Sequence, residues 1–348
     1  MRRVLIVQPV LTSYRVPLFD AMPNELIEIH VYAELSKGYG CDVNTLASSK
    51  FHFVRSKWRR FGCFRFPRLS FYSEYFGADI LLHFADFKYF SLIFSLFVSR
   101  AFNKPIFLHG QGGVKSSGGV FAKVVYNLAV LLSSGYIAYT EYSANHLREL
   151  LLPALKKKVS VADNTLYLPC QNSFEPTSKD LFFVGRLRDS NGIELLLSAA
   201  LERGVQVHVV GDGESHFIKS LLERFSNLSY HGAIFDICDH IPIAKKCMAG
   251  VYAGDAGLSV VHYMSLGLPV VVHSDVSRHM GPEPSYIIDG FNGLLFERGN
   301  KESLSLCLAR LTTDAALRTR LSKGALNTFS KLNTPPMHEK FMNIMGLK

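Results

Sequence analysis

The sequence contains little that would cross-link the chain or anchor it in a membrane. Its six cysteines are scattered without a C-x-x-C pair, which argues against a disulfide framework and a cysteine-based zinc site and fits a reducing cytosol. No stretch reaches the roughly 18–20 apolar residues of a spanning helix; the nearest, 89–102, is interrupted by three serines and Arg100. The opening MRRVLIVQP has a short apolar run and no cleavage site, so it predicts a first strand, not a signal peptide.

Acidic residues are also in short supply. There are 29 of them against 38 lysines and arginines, which gives a formal net charge of +9. Such a balance favours an anionic partner: nucleic acid, a phosphorylated ligand or an anionic membrane surface. With 348 residues, 48% of them apolar, the chain is long enough for two α/β domains, each with its own core.

Short apolar runs alternate with helical patterns along both halves of the chain. This alternation predicts parallel, doubly wound sheets. The polar segment 167–179 is the best candidate for a linker between them. We therefore predict an N-terminal domain over 1–168, a C-terminal domain over 169–328 and a tail helix in 329–348 that packs back on the first domain. In open α/β sheets, ligands bind at the carboxyl ends of the strands, so two such domains facing each other would place a site in the cleft between them.

The segment 252–296 is the centre of the functional hypothesis. Gly254 and Gly257 would let the backbone pass close to a ligand. A helix that starts near Leu258 would direct unpaired N–H groups into the same loop, as in phosphate sites. His262 lies one turn into that helix and could face the pocket. The alternative is an ordinary α/β turn with a core histidine.

Two further strand ends carry residues suited to a diphosphate. In FFVGRL, the strand ends at Gly185 and delivers Arg186, whose guanidinium could clamp a diphosphate. In VVGDG, Gly211 and Gly213 allow close backbone approach. Each alone is equally compatible with a surface arginine or a plain turn. Three such strand ends in one domain predict a site for a nucleotide diphosphate.

The second half resembles the family 4 glycosyltransferases, which have the GT-B architecture of two facing Rossmann-like domains. The resemblance rests on segments shared with the family pattern: Gly185-Arg186-Leu187, Gly211-Asp212-Gly213, Gly257-Leu258, Met264, Gly267-Leu268-Pro269-Val270-Val271 and Asn292-Gly293-Leu294-Leu295. It implies a retaining hexosyltransferase (EC 2.4) that uses a UDP- or GDP-linked sugar, with no cofactor and no metal. It is weaker in the first half, where Tyr14–Phe19, His109-Gly110 and Asp163-Asn164-Thr165 echo the family.

The sequence departs from that family pattern at three positions. The family lysine falls on Asn191, and the Glu-x7-Glu pair falls on Gly254, with Asp255 next to it, and on His262. The last substitution resembles a subgroup from bacterial surface-polysaccharide and lipopolysaccharide gene sets. A neutral His262 could bond one ribose hydroxyl or, if protonated, a phosphate. Glu283 could supply a second ribose contact, and Asp255 could cap the helix or bind donor-sugar hydroxyls.

The predicted site residues follow from these segments and from the resemblance. For the donor they are Gly185, Arg186, Asn191, Gly211, Gly213, Gly257, Leu258, Ser259, His262 and Glu283. For catalysis they are His109, Arg186 and Asp255, and for the acceptor side Tyr14, Arg15 and Lys115. His109 ends the strand PIFLH; a structural histidine is the alternative. The glycine-rich loop after it lacks the Gly-Lys-Ser/Thr of a P-loop.

The segment Arg55–Arg68 interleaves basic and aromatic residues. This pattern suits an anionic membrane surface or single-stranded nucleic acid. Beside a sugar-nucleotide site we favour the membrane, and expect no nucleic-acid partner. The hypothesis is a cytoplasmic transferase, peripheral at the inner face of the membrane, that adds a sugar to a lipid-linked surface glycan. The alternatives are a sugar-nucleotide epimerase of the same fold and a non-catalytic glycan- or lipid-binding relative.

Overall fold

The computed structural model describes residues 1–35, 41, 46–115, 118–168 and 176–347. The chain forms two compact units, Met1–Tyr167 with Pro335–Lys348, and Leu168–Thr334. Most of the predicted linker, 169–175, lies outside the described residues. Within the described part of the chain, no helix has the length and apolarity needed to cross a membrane.

The first unit is built on a seven-stranded sheet. Its strands and those of a separate hairpin are β1 (Arg2–Leu11), β2 (Ile27–Leu35), β3 (His52–Arg55), β4 (Arg59–Phe61), β5 (Phe64–Phe66), β6 (Ile80–Phe84), β7 (Ile106–Gly110), β8 (Gly135–Ala138) and β9 (Val159–Val161). The sheet order is β3-β2-β1-β6-β7-β8-β9, all parallel. Its helices are α1 (Val16–Asp20), α2 (Leu69–Gly77), α3 (Phe90–Ala101), α4 (Val120–Leu132) and α5 (Glu141–Leu150). The order reverses at β1 and β6, the kind of switch point where open α/β sheets bind ligands.

Apolar residues on both faces of the strands make this sheet parallel and buried. In β1, the four residues Val4–Val7 are all fully buried. One face packs against α1, and the other packs against Phe71 and Tyr75 of α2 and Leu92 of α3. Near-continuous apolar strands are typical of sheets that helices cover on both sides, which is why the sequence pattern was sufficient to predict this fold.

The second unit has the same architecture with six strands. They are β10 (Asp180–Val184), β11 (Val207–Val210), β12 (Leu228–Tyr230), β13 (Cys247–Tyr252), β14 (Val270–His273) and β15 (Gly293–Phe296). The order is β12-β11-β10-β13-β14-β15, again parallel. The helices are α6 (Ile193–Leu201), α7 (Ser215–Arg224), α8 (Ile241–Ala244), α9 (Ser259–Ser265), α10 (Lys301–Thr313) and α11 (Ala315–Leu332). The switch point lies between β10 and β13.

The tail helix, α12 (Met337–Ile344), belongs to the first unit. Met337 and Phe341 are buried in the same cluster as Val4 and Ile6. At the rim of this contact, the Lys340 ammonium lies 2.8 Å from the Asp163 carboxylate. The tail therefore completes one apolar face of the first sheet.

The structure contains elements that the sequence patterns did not predict. The hairpin β4–β5 lies within Arg55–Arg68, and α2 and β15 are additional. The last helical region of the second unit consists of two helices, α10 and α11. They separate at Asp314, whose backbone is extended and whose side chain accepts a hydrogen bond from the Leu317 N–H at the start of α11. This N-cap ends one helix and begins the next.

Candidate functional site

At the carboxyl edge of the second sheet, the loops after neighbouring strands are bonded to one another. The Gly185 N–H donates to the Val210 carbonyl over 3.1 Å, and the Leu187 N–H donates to the Asp212 carbonyl over 2.8 Å. Gly254 donates to the Asn191 carbonyl over 3.0 Å. The loops after β10, β11 and β13 therefore form a single layer, which brings together the three strand ends singled out in the sequence.

Most glycines in this layer make room for the protein's own backbone. A Cβ on Gly254 would overlap the Ser190 carbonyl oxygen, and one on Gly211 would overlap the Gly185 carbonyl oxygen. A Cβ on Gly213 would lie 2.7 Å from the Leu187 carbonyl oxygen. The expectation that Gly254 leaves room for a ligand is therefore wrong, because the loop after β10 occupies that space. The same contacts account for Gly211 and Gly213 without a ligand.

Gly257 is the exception. A Cβ there would meet no atom closer than 3.9 Å, and its nearest neighbours belong to Met280, Gly281 and Glu283. The residue therefore borders open space beside the Glu283 carboxylate. Glu283 itself is only 2% exposed. The structure thus brings Gly257 and Glu283 together, as the donor-site hypothesis requires.

Asn191, at the position of the family lysine, is buried and stabilises the loop after β10 by hydrogen bonds. Its side-chain amide donates to the Arg186 carbonyl, and its own carbonyl accepts from Gly254. Asn191 therefore holds the backbone of Arg186 in place. The Arg186 side chain is exposed. Ser259 also bonds within this layer, because its hydroxyl donates to the Val184 carbonyl over 3.1 Å.

The loop after β14 folds onto the same layer through His279. The Ala256 N–H donates to His279 Nδ1 over 3.0 Å, and His279 Nε2 lies 3.0 Å from the His273 carbonyl oxygen. Nδ1 is thus an acceptor and Nε2 the donor, which fixes a neutral tautomer. Burial lowers the pKa of His279 to about 4. Met280 N–H completes the contact at 2.8 Å from the Ala256 carbonyl oxygen.

Asp255 does not cap the following helix. Helix α9 has Leu258 as its N-cap residue and no side-chain cap bond there. The Asp255 carboxylate is instead 3.1 Å from Arg298 Nη2 and 3.2 Å from His273 Nε2. Burial lowers the pKa of His273, with the Asp255 bond opposing the shift. Asp255 is therefore engaged in an ion pair whose arginine follows β15.

The His262 side chain lies on the buried face of α9. It is 4% exposed, and its Nε2 lies 3.3 Å from Nδ1 of His240. His240 Nε2 faces the Ile234 carbonyl at 3.1 Å, so His240 donates there and accepts from His262. Burial lowers the pKa of His262 to about 3. The imidazole is neutral at pH 7, which argues against the alternative in which a protonated His262 contacts a phosphate.

The carboxyl edge of the first sheet carries buried polar atoms that lack partners. His109, at the end of β7, is 4% exposed, and its ring packs on Tyr139 at 4.5 Å and on Phe341 at 4.9 Å between centroids. Neither His109 Nε2 nor Thr12 Oγ1 has a hydrogen-bond partner among the described residues. Burial, with a smaller contribution from Arg15, holds the pKa of His109 well below 6.5. A neutral histidine with an unused nitrogen is the chemistry expected of a ligand contact.

Of the predicted acceptor residues, Arg15 is tied to this edge. Its guanidinium donates to the Asn164 side-chain oxygen and lies 3.3 Å from the Met337 sulfur. It also lies over the Tyr14 ring, 5.5 Å from the centroid. Tyr14 is 37% exposed and Lys115 is exposed as well. The structure therefore groups Tyr14 and Arg15 near β1, while Lys115 follows β7 on the surface.

The residues of Arg55–Arg68 divide into two groups. Trp58 is part of the core: its ring packs on Tyr89 at 4.7 Å, and its Nε1–H donates to the Pro9 carbonyl over 2.9 Å. Phe66 stacks on Phe90. The tip of the β4–β5 hairpin, by contrast, exposes Phe61, Phe64 and the arginines Arg59, Arg60 and Arg65. The exposed aromatic residues of the segment are therefore at this tip, and Arg55, Lys57 and Arg68 outside it are exposed as well.

Sequence reasoning missed several residues of both edges. They are the Thr12 hydroxyl in the first unit, and His273 and Arg298 in the second unit. Arg298 could have been identified from the sequence, because it is a charged residue directly after a strand that ends at Phe296. Its pairing with Asp255 could not be read, because the two are 43 positions apart. Among the described residues, three groups that could hold a metal, Glu28, His30 and His52, lie together elsewhere in the first unit.

Comparison with known proteins agrees with this architecture. Residues 178–314 match the family described as glycosyl transferases group 1. A curated relative, "Uncharacterized glycosyltransferase MJ1178" of Methanocaldococcus jannaschii, is 24% identical over 238 residues, 64% of this chain and 62% of that protein. The crystal structure of Anabaena Alr3699/HepE in complex with UDP and glucose is similar with a TM-score of 0.72, 15% identity and 99% of both chains covered.

A second solved structure gives the same result. The lipopolysaccharide outer core galactosyltransferase WaaB in its apo form is similar with a TM-score of 0.69, 16% identity and 99% of both chains covered. At these identities the solved structures establish the fold, which confirms the predicted fold class. Residues 178–314 therefore match the glycosyl transferases group 1 family, in a chain whose two parallel-sheet units have the GT-B fold.

Proposed function

We propose that the protein is a retaining glycosyltransferase that moves a sugar from a UDP- or GDP-linked donor to a hydroxyl of a lipid-linked surface glycan. The observation that carries the proposal is the open space at Gly257 beside the buried Glu283, within the group 1 domain. The other loops of that edge are filled by their own contacts, so this is where a ligand fits. HepE, a structural neighbour, was crystallised with UDP and glucose.

In this proposal, the second unit binds the donor. Gly257 lets the backbone approach the donor, and the Glu283 carboxylate accepts hydrogen bonds from ribose hydroxyls. Arg186, exposed at the end of β10, neutralises charge on the diphosphate as its bond to the sugar breaks. Asp255, already paired with Arg298, then fixes the loop, and its carboxylate, which is 24% exposed, would also accept hydrogen bonds from sugar hydroxyls.

The first unit supplies the acceptor side. His109 has a buried nitrogen without a partner, and Thr12 has a hydroxyl in the same condition. Both would be satisfied by hydroxyl groups of a bound sugar. Burial, with a smaller contribution from Arg15, lowers the pKa of His109 and keeps the imidazole neutral, so it can accept a hydrogen bond from an acceptor hydroxyl.

Retention of configuration needs no side-chain base in this scheme. The acceptor hydroxyl attacks from the face that the leaving diphosphate occupies, and a phosphate oxygen takes its proton as the old bond breaks. Electrostatic stabilisation of the departing diphosphate is then the main contribution of the protein. This fits an edge where the buried His262 and His279 are neutral and Arg186 is exposed at the end of β10.

Membrane contact is supported by the surface of the first unit. Helix α4 exposes Val120, Phe121, Val124, Leu128 and Leu131, each 45–82% exposed. Helix α3, which contacts both α4 and β5, adds exposed Phe97 and Phe102. Lys123, Lys156 and Lys157 are exposed near the same helix. An apolar stripe beside lysines suits an anionic lipid surface, and the hairpin tip extends it.

Two charge changes test the membrane contact. Phe121→Asp with Leu128→Asp, and separately Arg59→Glu with Arg60→Glu, should each release the protein from anionic liposomes in a flotation assay. Phe235→Asp, at an exposed phenylalanine of the second unit, is the control and should leave binding unchanged. Liposome binding that survives both pairs of substitutions would rule out this surface.

A nucleotide-sugar panel with membrane extract as acceptor tests the activity. Donor-dependent release of UDP or GDP, with sugar retained on a lipid extract, supports the transferase, and the anomeric configuration of the product shows whether it is retaining. Interconversion of the free donor would support the epimerase alternative, and donor binding without turnover the non-catalytic one. Glu283→Gln should weaken donor binding, and unchanged affinity would remove Glu283 from the site.

A further inference from the structure

A cluster of histidines and glutamates lies at the edge of the first sheet, away from the candidate acceptor residues of that unit. Glu28 and His30 belong to β2, and His52 belongs to the edge strand β3, where it is the register partner of His30. Alternation along a strand puts Glu28 and His30 on one face. All three are near the amino ends of their strands, whereas the candidate acceptor residues follow the carboxyl ends.

The ligand atoms of these three residues have the spacing of a small metal site. Glu28 Oε1 is 2.9 Å from His30 Nε2 and 3.4 Å from His52 Nε2. The three atoms all lie within 4.8 Å of one another. Tetrahedral zinc with bonds of about 2.0–2.2 Å places its ligand atoms about 3.3–3.5 Å apart. The cluster therefore needs only small adjustments to close around an ion.

His30 is already oriented as a metal ligand. Its Nδ1 lies 2.7 Å from the Glu74 carboxylate of α2, so Nδ1–H donates there. In the neutral tautomer this leaves the lone pair on Nε2, which lies 2.9 Å from Glu28 Oε1. His30 is only 8% exposed, and its Nε2 makes no hydrogen bond of acceptable geometry among the described residues. A carboxylate on one imidazole nitrogen with a metal on the other is the usual second-shell arrangement of zinc histidines.

The surroundings also decide which ion fits. Arg3 Nε lies 3.2 Å from Glu28 Oε2, so Oε1 is the oxygen left for a metal and the carboxylate binds through one atom. The His52 side chain is 69% exposed, which leaves a coordination position open to water. Two imidazoles and one carboxylate favour Zn²⁺ over Mg²⁺ or Ca²⁺, which prefer oxygen ligands.

We propose that Glu28, His30 and His52 bind one Zn²⁺, with Glu74 as the positioning residue for His30 and water as the fourth ligand. The ion joins the edge strand β3 to β2 and, through Glu74, to α2. The site is independent of the proposed transferase activity. The competing explanation is a proton shared in the same cluster, with His30 charged between Glu28 and Glu74.

The experiment uses the full chain after treatment with a chelator. Zn²⁺ titration by calorimetry, with metal content measured after dialysis, should give one zinc per chain and a higher melting temperature. His52→Ala, at an exposed position, should abolish this binding without unfolding the protein. Glu74→Gln should weaken it about 10–100-fold, as second-shell changes do. His216→Ala is the matched control: an exposed histidine 3.4 Å from Glu214, whose loss should change nothing.

The proposal fails if no zinc remains after dialysis, or if His52→Ala binds zinc and is stabilised by it as fully as His216→Ala. Co²⁺ gives an independent reading, because a tetrahedral site with nitrogen and oxygen ligands colours the protein and an octahedral surface site does not. A colourless complex with unchanged melting temperature would favour the shared proton.

Discussion

The carboxyl edges of the two sheets differ in whether their buried polar groups have hydrogen-bond partners. In the second unit, the loops after four strands are joined by backbone bonds and by His279, and most glycines there accommodate neighbouring backbone. In the first unit, His109 Nε2 and Thr12 Oγ1 are buried without partners among the described residues. The second unit thus has a hydrogen-bonded layer of loops with open space at Gly257, whereas the first unit has buried polar atoms that a ligand could satisfy.

This difference matches the two kinds of ligand in the proposed reaction. A nucleotide diphosphate is a constant partner, so a rigid layer that fixes Arg186 and Gly257 lowers the cost of ordering loops on binding. Leaving a buried donor or acceptor unsatisfied costs about 1–3 kcal/mol each, a cost that a bound sugar hydroxyl would relieve. If the two edges differ in this way, substitutions in them should have different effects on stability and on activity.

The largest effect is expected from the two glycines of one loop. Gly254→Ala places a methyl group on the Ser190 carbonyl and 2.7 Å from the Gly192 nitrogen, so it should destabilise the second unit by about 3 kcal/mol or more. Gly257→Ala, with 3.9 Å of clearance, should leave stability within about 0.5 kcal/mol and weaken donor binding. Urea unfolding measures the loss of stability, and donor titration measures the loss of donor affinity. Equal stability losses would show that the loop is not filled as described.

Arg186→Ala should act on turnover and not on folding. Loss of a cation that stabilises the leaving diphosphate should lower kcat about 10²–10³-fold, or about 2.7–4 kcal/mol. Arg224→Ala is the control, because that arginine is exposed and pairs with Glu194. Initial rates with the donor found in the panel provide the measurement. A kcat within threefold of the control would remove Arg186 from the chemistry.

Two histidines on neighbouring strands differ in their hydrogen bonds: His109 has a nitrogen without a partner among the described residues, and His83 has no such nitrogen. His83 is buried with both nitrogens bonded, at 2.7 Å to the Phe84 carbonyl and 2.9 Å to Ser91. His83→Phe should therefore cost about 1–3 kcal/mol of stability. His109→Phe should leave stability unchanged or raise it by about 1 kcal/mol, while transfer falls about 10²-fold. Destabilisation by His109→Phe as large as that by His83→Phe would contradict the comparison.

The smallest effect is a pH dependence in the second unit. His262 has its pKa lowered to about 3 by burial, so between pH 6.5 and about 3 the unfolded chain binds a proton that the folded chain does not. Its contribution to stability is complete above pH 6.5 and is lost as the pH falls, by at most about 1.4 kcal/mol per pH unit. Hydrogen exchange of α9 peptides at pH 7, 6 and 5 measures the slope. His262→Gln should flatten it, and an unchanged slope would show that His262 is not the titrating group.

Much of the fold followed from the sequence because it depends on local patterns. Fully apolar runs such as Val4–Val7 predict buried strands, and helical periodicity between them favours parallel pairing. The glycine and arginine motifs at strand ends likewise placed the candidate donor edge. The elements that escaped, such as α2 and the β4–β5 hairpin, are short or surrounded by aromatic residues whose partners come from other parts of the chain.

Only the tertiary structure decided what each side chain contacts. Asp255 pairs with Arg298, Gly254 makes room for Ser190, and His30 meets His52 and Glu74. The physical reason is that these contacts join residues far apart in sequence. They depend on strand register and on how loops dock, which local propensity does not encode. The sequence by itself determined that the chain forms parallel sheets with ligand-type residues at their edges; the packing of the loops determined which of those residues remain open to a ligand.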